Sequence, residues 1–239
     1  MTLRKYIPDM ITSMNIVCGI IGVVFAFKGR LEPAFWLMIA AAVFDFLDGL
    51  CARALGAYSD FGKELDSLCD LVSFGVLPSV MFYTLMKTLA FGESAVCWIP
   101  LVMTLAAALR LAKFNVDSCQ TDSFLGLPVP ASALLCGSLC CYVCHDLSCF
   151  LATWAAGPIF IPLLSFCLSA LMVCRMPMFS LKFHRDDPSV LKGKRIALAA
   201  IVAAAALVCF LCGLHWSLAV LLTLVCYILK NIVYAIVRI

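Results

Sequence analysis

The chain has 239 residues, of which 64% are apolar and only 13% are charged, and its mean hydropathy is +1.08. This composition excludes a water-soluble monomer, because a soluble domain carries about 25% charged residues. The formal net charge of +3 is too small to indicate nucleic acid as a partner. We therefore predict a polytopic, all-α membrane protein.

Uncharged stretches follow one another along the chain, and a helix needs about 20 apolar residues to cross a bilayer core. We predict spans at 10–27, 33–44 with a polar continuation, 71–86, 94–109, 123–144 and 147–174. The stretch 196–229 would make a helix of about 51 Å, too long for one span, and Gly213-Leu214-His215 offers a break. The pattern thus predicts eight spans.

Lysine and arginine predict the orientation of these spans, because loops that carry them stay in the cytoplasm. With a cytoplasmic N-terminus, all of the 17 Lys and Arg residues except Lys28, Arg30 and Lys87 lie on the cytoplasmic side. Both termini are then cytoplasmic. We expect a six-helix unit at 1–181, a basic cytoplasmic loop at 182–195 that attracts anionic membrane lipids, and a C-terminal helix pair at 196–239.

Four aspartates lie at membrane level, where carboxylates are costly and mark functional sites. Asp45 and Asp48 end the second predicted span, about 60° apart on one helix face, and Asp66 and Asp70 precede the third, about 40° apart. The short connection 55–64 makes the two helices antiparallel neighbours. The pattern predicts that all four carboxylates share one cytoplasmic-side cavity.

Carboxylates in this arrangement suit Mg²⁺, Mn²⁺ or Ca²⁺, with one or two ions bridging a diphosphate. The guanidinium of Arg53 can bind phosphate oxygens, and the small residues Gly49, Ala52 and Gly62 would let a diphosphate approach the backbone. Two alternatives remain: helix-end acids that pair with nearby cations and have only a structural role, and a transporter whose acids bind a cation in transit.

The spacing of these residues resembles the signature of the CDP-alcohol phosphatidyltransferases. The matching string is Asp45-x2-Asp48-Gly49-x2-Ala52-Arg53-x8-Gly62-x3-Asp66-x3-Asp70. Segments 7–15, 65–78, 110–116 and 124–130 are also similar to bacterial and archaeal type II phosphatidylserine synthases. Asp9 departs from that pattern, because relatives commonly carry asparagine there.

The resemblance implies a six-helix, homodimeric enzyme of the bacterial inner membrane with its active site facing the cytoplasm. It would transfer the phosphatidyl group of CDP-diacylglycerol to L-serine, with two divalent cations, Mg²⁺ or Mn²⁺. Asp45, Asp48 and Asp66 would hold metal, and Asp70 would be the general base while approaching the second ion. The residues implied to bind the CDP-lipid are Thr12, Gly49, Ala52, Arg53, Ser59 and Gly62.

The acceptor pocket is less defined. Arg110, Lys113 and Asn115 end the fourth predicted span, where they would bind the serine carboxylate or the lipid phosphate, or where the two cations only anchor the helix. Glycerol 3-phosphate and inositol phosphate remain alternative acceptors. No histidine lies near the acids in the sequence, so we favour direct transfer over a covalent phosphatidyl-histidine.

Overall fold

The computed structural model describes residues 6–92, 94–116, 124–174, 177–178 and 213–237. Within them the chain is almost entirely helical. The α-helices are α1 (Ile7–Phe27), α2 (Leu31–Leu55), α3 (Asp60–Asp70), α4 (Leu77–Met86), α5 (Val102–Val116), α6 (Val129–His145), α7 (Phe150–Ala155), α8 (Phe160–Val173) and α9 (Trp216–Val237). Two-residue strands β1 (Phe124–Leu125) and β2 (Pro177–Met178) pair antiparallel.

Five helical segments are long and apolar enough to cross a membrane: Ile7–Phe27, Leu31–Leu55, Asp60–Leu89, Ala95–Val116 and Trp216–Val233. Helices α6 and α8 are shorter but apolar. These findings confirm a polytopic helical membrane protein. The predicted basic loop 182–195 and the predicted span that begins at residue 196 lie outside the described residues, so the expected total of eight spans stays a prediction.

The predicted stretch 147–174 is divided into α7 and α8, which differs from a single long span. Gly157 and Pro158 lie at the division. Proline has no backbone N–H and clashes with the preceding turn, so a helix rarely continues through it. The preceding span is also shorter than predicted, because α6 begins only at Val129, with a proline in its first turn, where a helix tolerates proline best.

The segment Asp60–Leu89 is the central helix of the bundle, because 67% of its apolar window is buried, against 28% for each of the other four spans. It is not regular throughout. A π-helical stretch, Leu71–Val76, separates α3 from α4. Such wide turns are rare and occur frequently at functional sites. The irregularity begins directly after Asp70.

Helix α1 packs along both α2 and the central helix. Its contact with the central helix depends on Gly19, where a Cβ atom would lie 2.3 Å from Ser73 Oγ. Close approach through small residues is the usual way in which membrane helices associate, since lipid supplies no hydrophobic force between them. Met10, Met14, Val17 and Val24 on another part of α1 are exposed, as suits a lipid-facing surface.

Aromatic rings connect α9 to the N-terminal end of α2. The Trp216 ring stacks on Phe35, with centroids 5.6 Å apart, and lies 4.6 Å from the Trp36 ring. Asp48 lies twelve residues further along α2, which corresponds to about 18 Å of helix rise. The bundle therefore has an aromatic end and an aspartate end.

Candidate active site

Three carboxylates converge between α2 and α3. Asp45, Asp48 and Asp66 each offer a carboxylate oxygen, and these oxygens all lie within 4.8 Å of one another. The carboxylates meet because the connection between α2 and α3 is short. Helix α2 ends at Gly56, whose φ of +60° is a conformation that glycine adopts without steric cost. Antiparallel helices then bring the two aspartate pairs together, as the sequence predicted.

Asp70 lies beside this cluster and is more deeply enclosed, with 8% of its surface exposed. The carboxylates of Asp45, Asp66 and Asp48 lie close enough to repel a negative charge on Asp70. Its Oδ1 accepts a hydrogen bond from Asn15 Nδ2 at 3.1 Å. Asp70 thus differs from the other three acids in its partner and in its surroundings.

Helix α1 contributes a second polar contact to the cluster. Thr12 is buried, and its Oγ1 donates to Asp48 Oδ2 at 2.6 Å, while Pro8 O lies 3.0 Å from Thr12 Oγ1. A hydroxyl has one hydrogen, and the short distance to a carboxylate directs it to Asp48. Thr12 orients Asp48, and the predicted contact of Thr12 with the CDP-lipid stays a prediction.

The carboxylate cluster fits a divalent cation by the chemistry of its donors. Hard carboxylate oxygens are the ligands that Mg²⁺, Mn²⁺ and Ca²⁺ prefer. Three carboxylates at this spacing repel one another strongly where water is scarce, and a bound cation would remove that repulsion. Asp45, Asp48 and Asp66 are therefore a candidate metal site.

Space for a ligand lies beside Gly49. A Cβ atom built there would meet only Arg53 Nη2, at 4.0 Å. Glycine inside a helix costs about 1 kcal/mol relative to alanine, and among the described residues no close packing requires it here. Arg53 is exposed, and its Nε donates to Gly49 O at 3.0 Å, which holds the guanidinium next to this space. Ala52 is half-buried on the same turn.

Ser59 and Gly62 form the N-terminal turn of α3. Ser59 is its N-cap, and its Oγ accepts a hydrogen bond from Gly62 N at 2.9 Å. A Cβ on Gly62 would lie 3.0 Å from both Ser59 Oγ and Asp9 Oδ1. Both residues thus help to form the N-terminal cap of α3, and their predicted contact with the CDP-lipid stays a prediction.

The three residues expected in the acceptor pocket have separate surroundings. Asn115 Nδ2 donates to Ser67 Oγ at 2.9 Å and lies 3.1 Å from Glu64 Oε2, so it joins α5 to α3. Arg110 Nη2 donates to Gly126 O at 3.3 Å. Arg110 and Lys113 line a cavity of about 30 Å³ together with Phe114, Met172 and Val173. The cavity is small, and the acceptor assignment stays a prediction.

Two histidines lie at the aromatic end of the bundle. The His145 ring stacks on His215, with centroids 4.2 Å apart, and His215 lies 5.4 Å from Trp216. Burial, and then the neighbouring His145, lower the pKa of His215 below its usual value. Because Trp216 packs at the opposite end of α2 from Asp48, these two imidazoles are remote from the carboxylates.

The family model described as CDP-alcohol phosphatidyltransferase matches residues 5–163, a segment that contains every aspartate of the site. The chain belongs to the CDP-alcohol phosphatidyltransferase family. This agrees with the signature that runs from Asp45 to Asp70.

Curated relatives narrow the comparison. A "CDP-diacylglycerol--serine O-phosphatidyltransferase" of Bacillus subtilis (strain 168) is 37% identical over 131 residues, which cover 54% of this chain and 72% of that protein. A protein of the same name from Methanocaldococcus jannaschii is 38% identical over 141 residues, covering 58% and 63% respectively. An "Archaetidylserine synthase" of Methanothermobacter thermautotrophicus is 36% identical over 130 residues, covering 54% of each chain.

Asn15 is the contact to the site that sequence reasoning missed. The sequence points to Asn15 only as part of the segment 7–15, which is similar to type II phosphatidylserine synthases. A signal was available, because an amide in the middle of an apolar membrane span needs a hydrogen-bond partner and marks a helix contact. That the partner is Asp70, 55 positions away, follows only from the packing of α1 on the central helix.

Proposed function

We propose that this protein transfers the phosphatidyl group of CDP-diacylglycerol to the hydroxyl of L-serine and releases CMP. The observation that carries the proposal is the cluster of Asp45, Asp48 and Asp66 with the enclosed Asp70 beside it. Family membership supports the phosphatidyl transfer. The names of the relatives support serine as the acceptor.

In the proposed reaction, the serine oxygen forms a bond to the lipid-bearing phosphorus while the bond from that phosphorus to the CMP oxygen breaks. Asp70 accepts the serine hydroxyl proton as the new bond acidifies it, and general-base help of this kind is worth about 10²–10⁴-fold in rate. The electron pair of the broken bond leaves with CMP. Every bond and proton is accounted for without a covalent enzyme intermediate.

Two divalent cations, Mg²⁺ or Mn²⁺, are proposed to be held by Asp45, Asp48 and Asp66, with Asp70 near the second. When bound, they would neutralise the diphosphate and stabilise the charge on the departing CMP. The protein's own part is to hold the substrate in place: Arg53 is positioned to bind phosphate oxygens, and Gly49 leaves room for the CDP moiety.

The proposal extends to the setting of the enzyme. We place the active site at the cytoplasmic face of a bacterial inner membrane, because nearly all Lys and Arg residues lie on the side that carries the aspartates in the predicted topology. The expected partners are CDP-diacylglycerol, L-serine, membrane lipids and a second copy of the chain. Arg110, Lys113 and Asn115 remain the proposed acceptor-side residues.

The decisive experiment measures CMP release from CDP-diacylglycerol by the purified protein in detergent. L-serine, glycerol 3-phosphate and inositol phosphate are compared as acceptors, each with Mg²⁺, with Mn²⁺ and with EDTA, and Asp70→Asn serves as the control, in which release should slow by about 10²–10⁴-fold. Release that requires both serine and the metal supports the proposal. Release with another acceptor would keep the reaction class and change the product, whereas no release with any acceptor would contradict the enzymatic proposal.

A further inference from the structure

We infer that Asn15 is a positioning residue for Asp70, which it holds in the orientation that proton transfer requires. The inference rests on the proposed function, in which Asp70 takes the proton from the acceptor hydroxyl. Asn15 lies on α1, outside the signature that supplies the four aspartates. It would act through Asp70 and would not touch the reacting atoms.

The contact between the two side chains fixes one oxygen of the base. Asn15 is 0% exposed, and its Nδ2 donates to Asp70 Oδ1 at 3.1 Å. An ionised carboxylate only accepts hydrogen bonds, so the amide must present its nitrogen to Asp70. With Oδ1 held in this way, Oδ2 is the oxygen left to receive a proton.

The backbone of Asn15 is fixed to the same part of the central helix. Ser73 Oγ, in the π-helical stretch directly after Asp70, donates to Asn15 O at 3.1 Å. Gly19, one turn along α1, lets the helices approach closely enough for this contact, because a Cβ there would collide with Ser73 Oγ. The amide therefore meets Asp70 from a rigid support, which is what a positioning residue needs.

One atom of the Asn15 side chain lowers the stability of the fold. Its Oδ1 is buried and has no hydrogen-bond partner among the residues that the structure describes. An unsatisfied buried amide oxygen destabilises a fold, and an apolar side chain of similar size would avoid this penalty. A purely structural position at a helix contact would favour leucine here. The contact with Asp70 gives the amide a reason to be present.

The test replaces Asn15 by leucine or alanine and measures steady-state CMP release together with CDP-lipid binding and thermal unfolding in detergent. A displacement of about 1 Å at a reacting group costs about 10²-fold in rate. We expect kcat to fall by between about tenfold and about 10²-fold, with KM for serine and CDP-lipid affinity changed by less than about threefold. In the leucine variant, removal of the unsatisfied Asn15 Oδ1 and loss of the donor to Asp70 Oδ1 oppose each other, so we expect the unfolding temperature to change by no more than about 4 °C.

Asn231→Leu is the matched control. Asn231 is also a buried asparagine in an apolar helix, and its Nδ2 donates to Tyr227 O of its own helix at 2.8 Å. We expect its kcat to stay within about threefold of the wild type, because the hydrogen bond that it donates lies within α9, which carries none of the four aspartates.

A double variant separates action through Asp70 from any other role. If Asn15 works only through the base, Asn15→Leu combined with Asp70→Asn should release CMP as slowly as Asp70→Asn alone. A further drop by the factor seen in the single variant would overturn the inference, and so would a single Asn15 variant with normal kcat. Failure of the wild type itself to release CMP would instead count against the proposed function.

Discussion

At the scale of single residues, four aspartates of one chemical type have different hydrogen-bond partners and surroundings. Thr12 donates a hydrogen bond to Asp48 and Asn15 donates one to Asp70, while Asp45 and Asp66 complete the carboxylate cluster with Asp48. Hydrogen-bond donors on α1 distinguish Asp48 and Asp70, since the carboxylates themselves are chemically identical. Substitutions at these positions should therefore produce distinct defects.

Asp48→Asn should abolish metal-dependent CMP release, because it removes one of three clustered charges and one anionic ligand. Asp60→Asn, at an exposed position in the first turn of α3, is the matched control and should retain near-normal activity. Metal binding is measured directly as the rise in unfolding temperature on adding Mg²⁺ or Mn²⁺. If that rise persists in Asp48→Asn, Asp48 is not a metal ligand.

Arg53→Lys should weaken CDP-lipid binding by about tenfold while leaving unfolding unchanged. Lysine keeps the charge but loses the planar pair of donors that matches phosphate oxygens, and a hydrogen bond to a charged group contributes about 1.5–3 kcal/mol. Equilibrium binding of CDP-diacylglycerol to the detergent-solubilised variant gives the answer. Unchanged affinity would assign Arg53 a structural role through Gly49 O.

At the scale of elements, the site depends on how three helices begin, end and deform. Helix α2 ends at Gly56, α3 begins at the Ser59 N-cap, and the central helix widens into a π-helix directly after Asp70. The first two features form the connection between the aspartate pairs, and the third follows Asp70 directly. The N-cap is the feature whose structural and ligand-binding roles can be separated by substitution.

Ser59→Ala should lower the free energy of unfolding by about 1 kcal/mol, because the amide of Gly62 loses its acceptor. Ser59→Asn restores a capping oxygen and should recover the loss, which thermal unfolding of both variants will show. Affinity for CDP-diacylglycerol then decides the second role. Weak binding by the stable Ser59→Asn variant would favour direct contact of Ser59 with the nucleotide, and normal binding would leave it as a cap alone.

At the scale of the whole molecule, the bundle has two chemically different ends. Carboxylates, Arg53 and the N-terminal turn of α3 lie at one end, and stacked tryptophan and histidine rings lie at the other. Aromatic side chains suit a membrane–water interface, and charged side chains need water or counter-charges. The two ends of the bundle thus differ chemically, and we predict that they face opposite sides of the membrane.

Reporter fusions test which end faces the cytoplasm. Alkaline phosphatase fused after Asp146, at the aromatic end, should be active because that loop is predicted to be periplasmic. Green fluorescent protein fused after Ile239 should fluoresce, because the C-terminus is predicted to be cytoplasmic. The reverse pattern would place the aspartates on the outer face, away from cytoplasmic CDP-linked lipid.

The amino-acid sequence alone determined the membrane class, the approximate positions of the helices, and the aspartate cluster. It could do so because hydropathy and helical spacing are local properties, and a short connection leaves antiparallel helices little choice of partner. The division of 147–174 at Gly157 and Pro158 was also readable locally, although we expected one stretch there.

Only the tertiary structure decided what α1 does. Thr12 and Asn15 meet Asp48 and Asp70 across 36 and 55 positions of sequence, and their contacts exist because Gly19 lets α1 lie directly against the central helix. The tertiary structure also brings the Asn115 side chain into hydrogen-bond contact with Glu64 and Ser67 on α3. Contacts of this kind depend on how helices rotate and cross, and no spacing within one segment encodes that rotation.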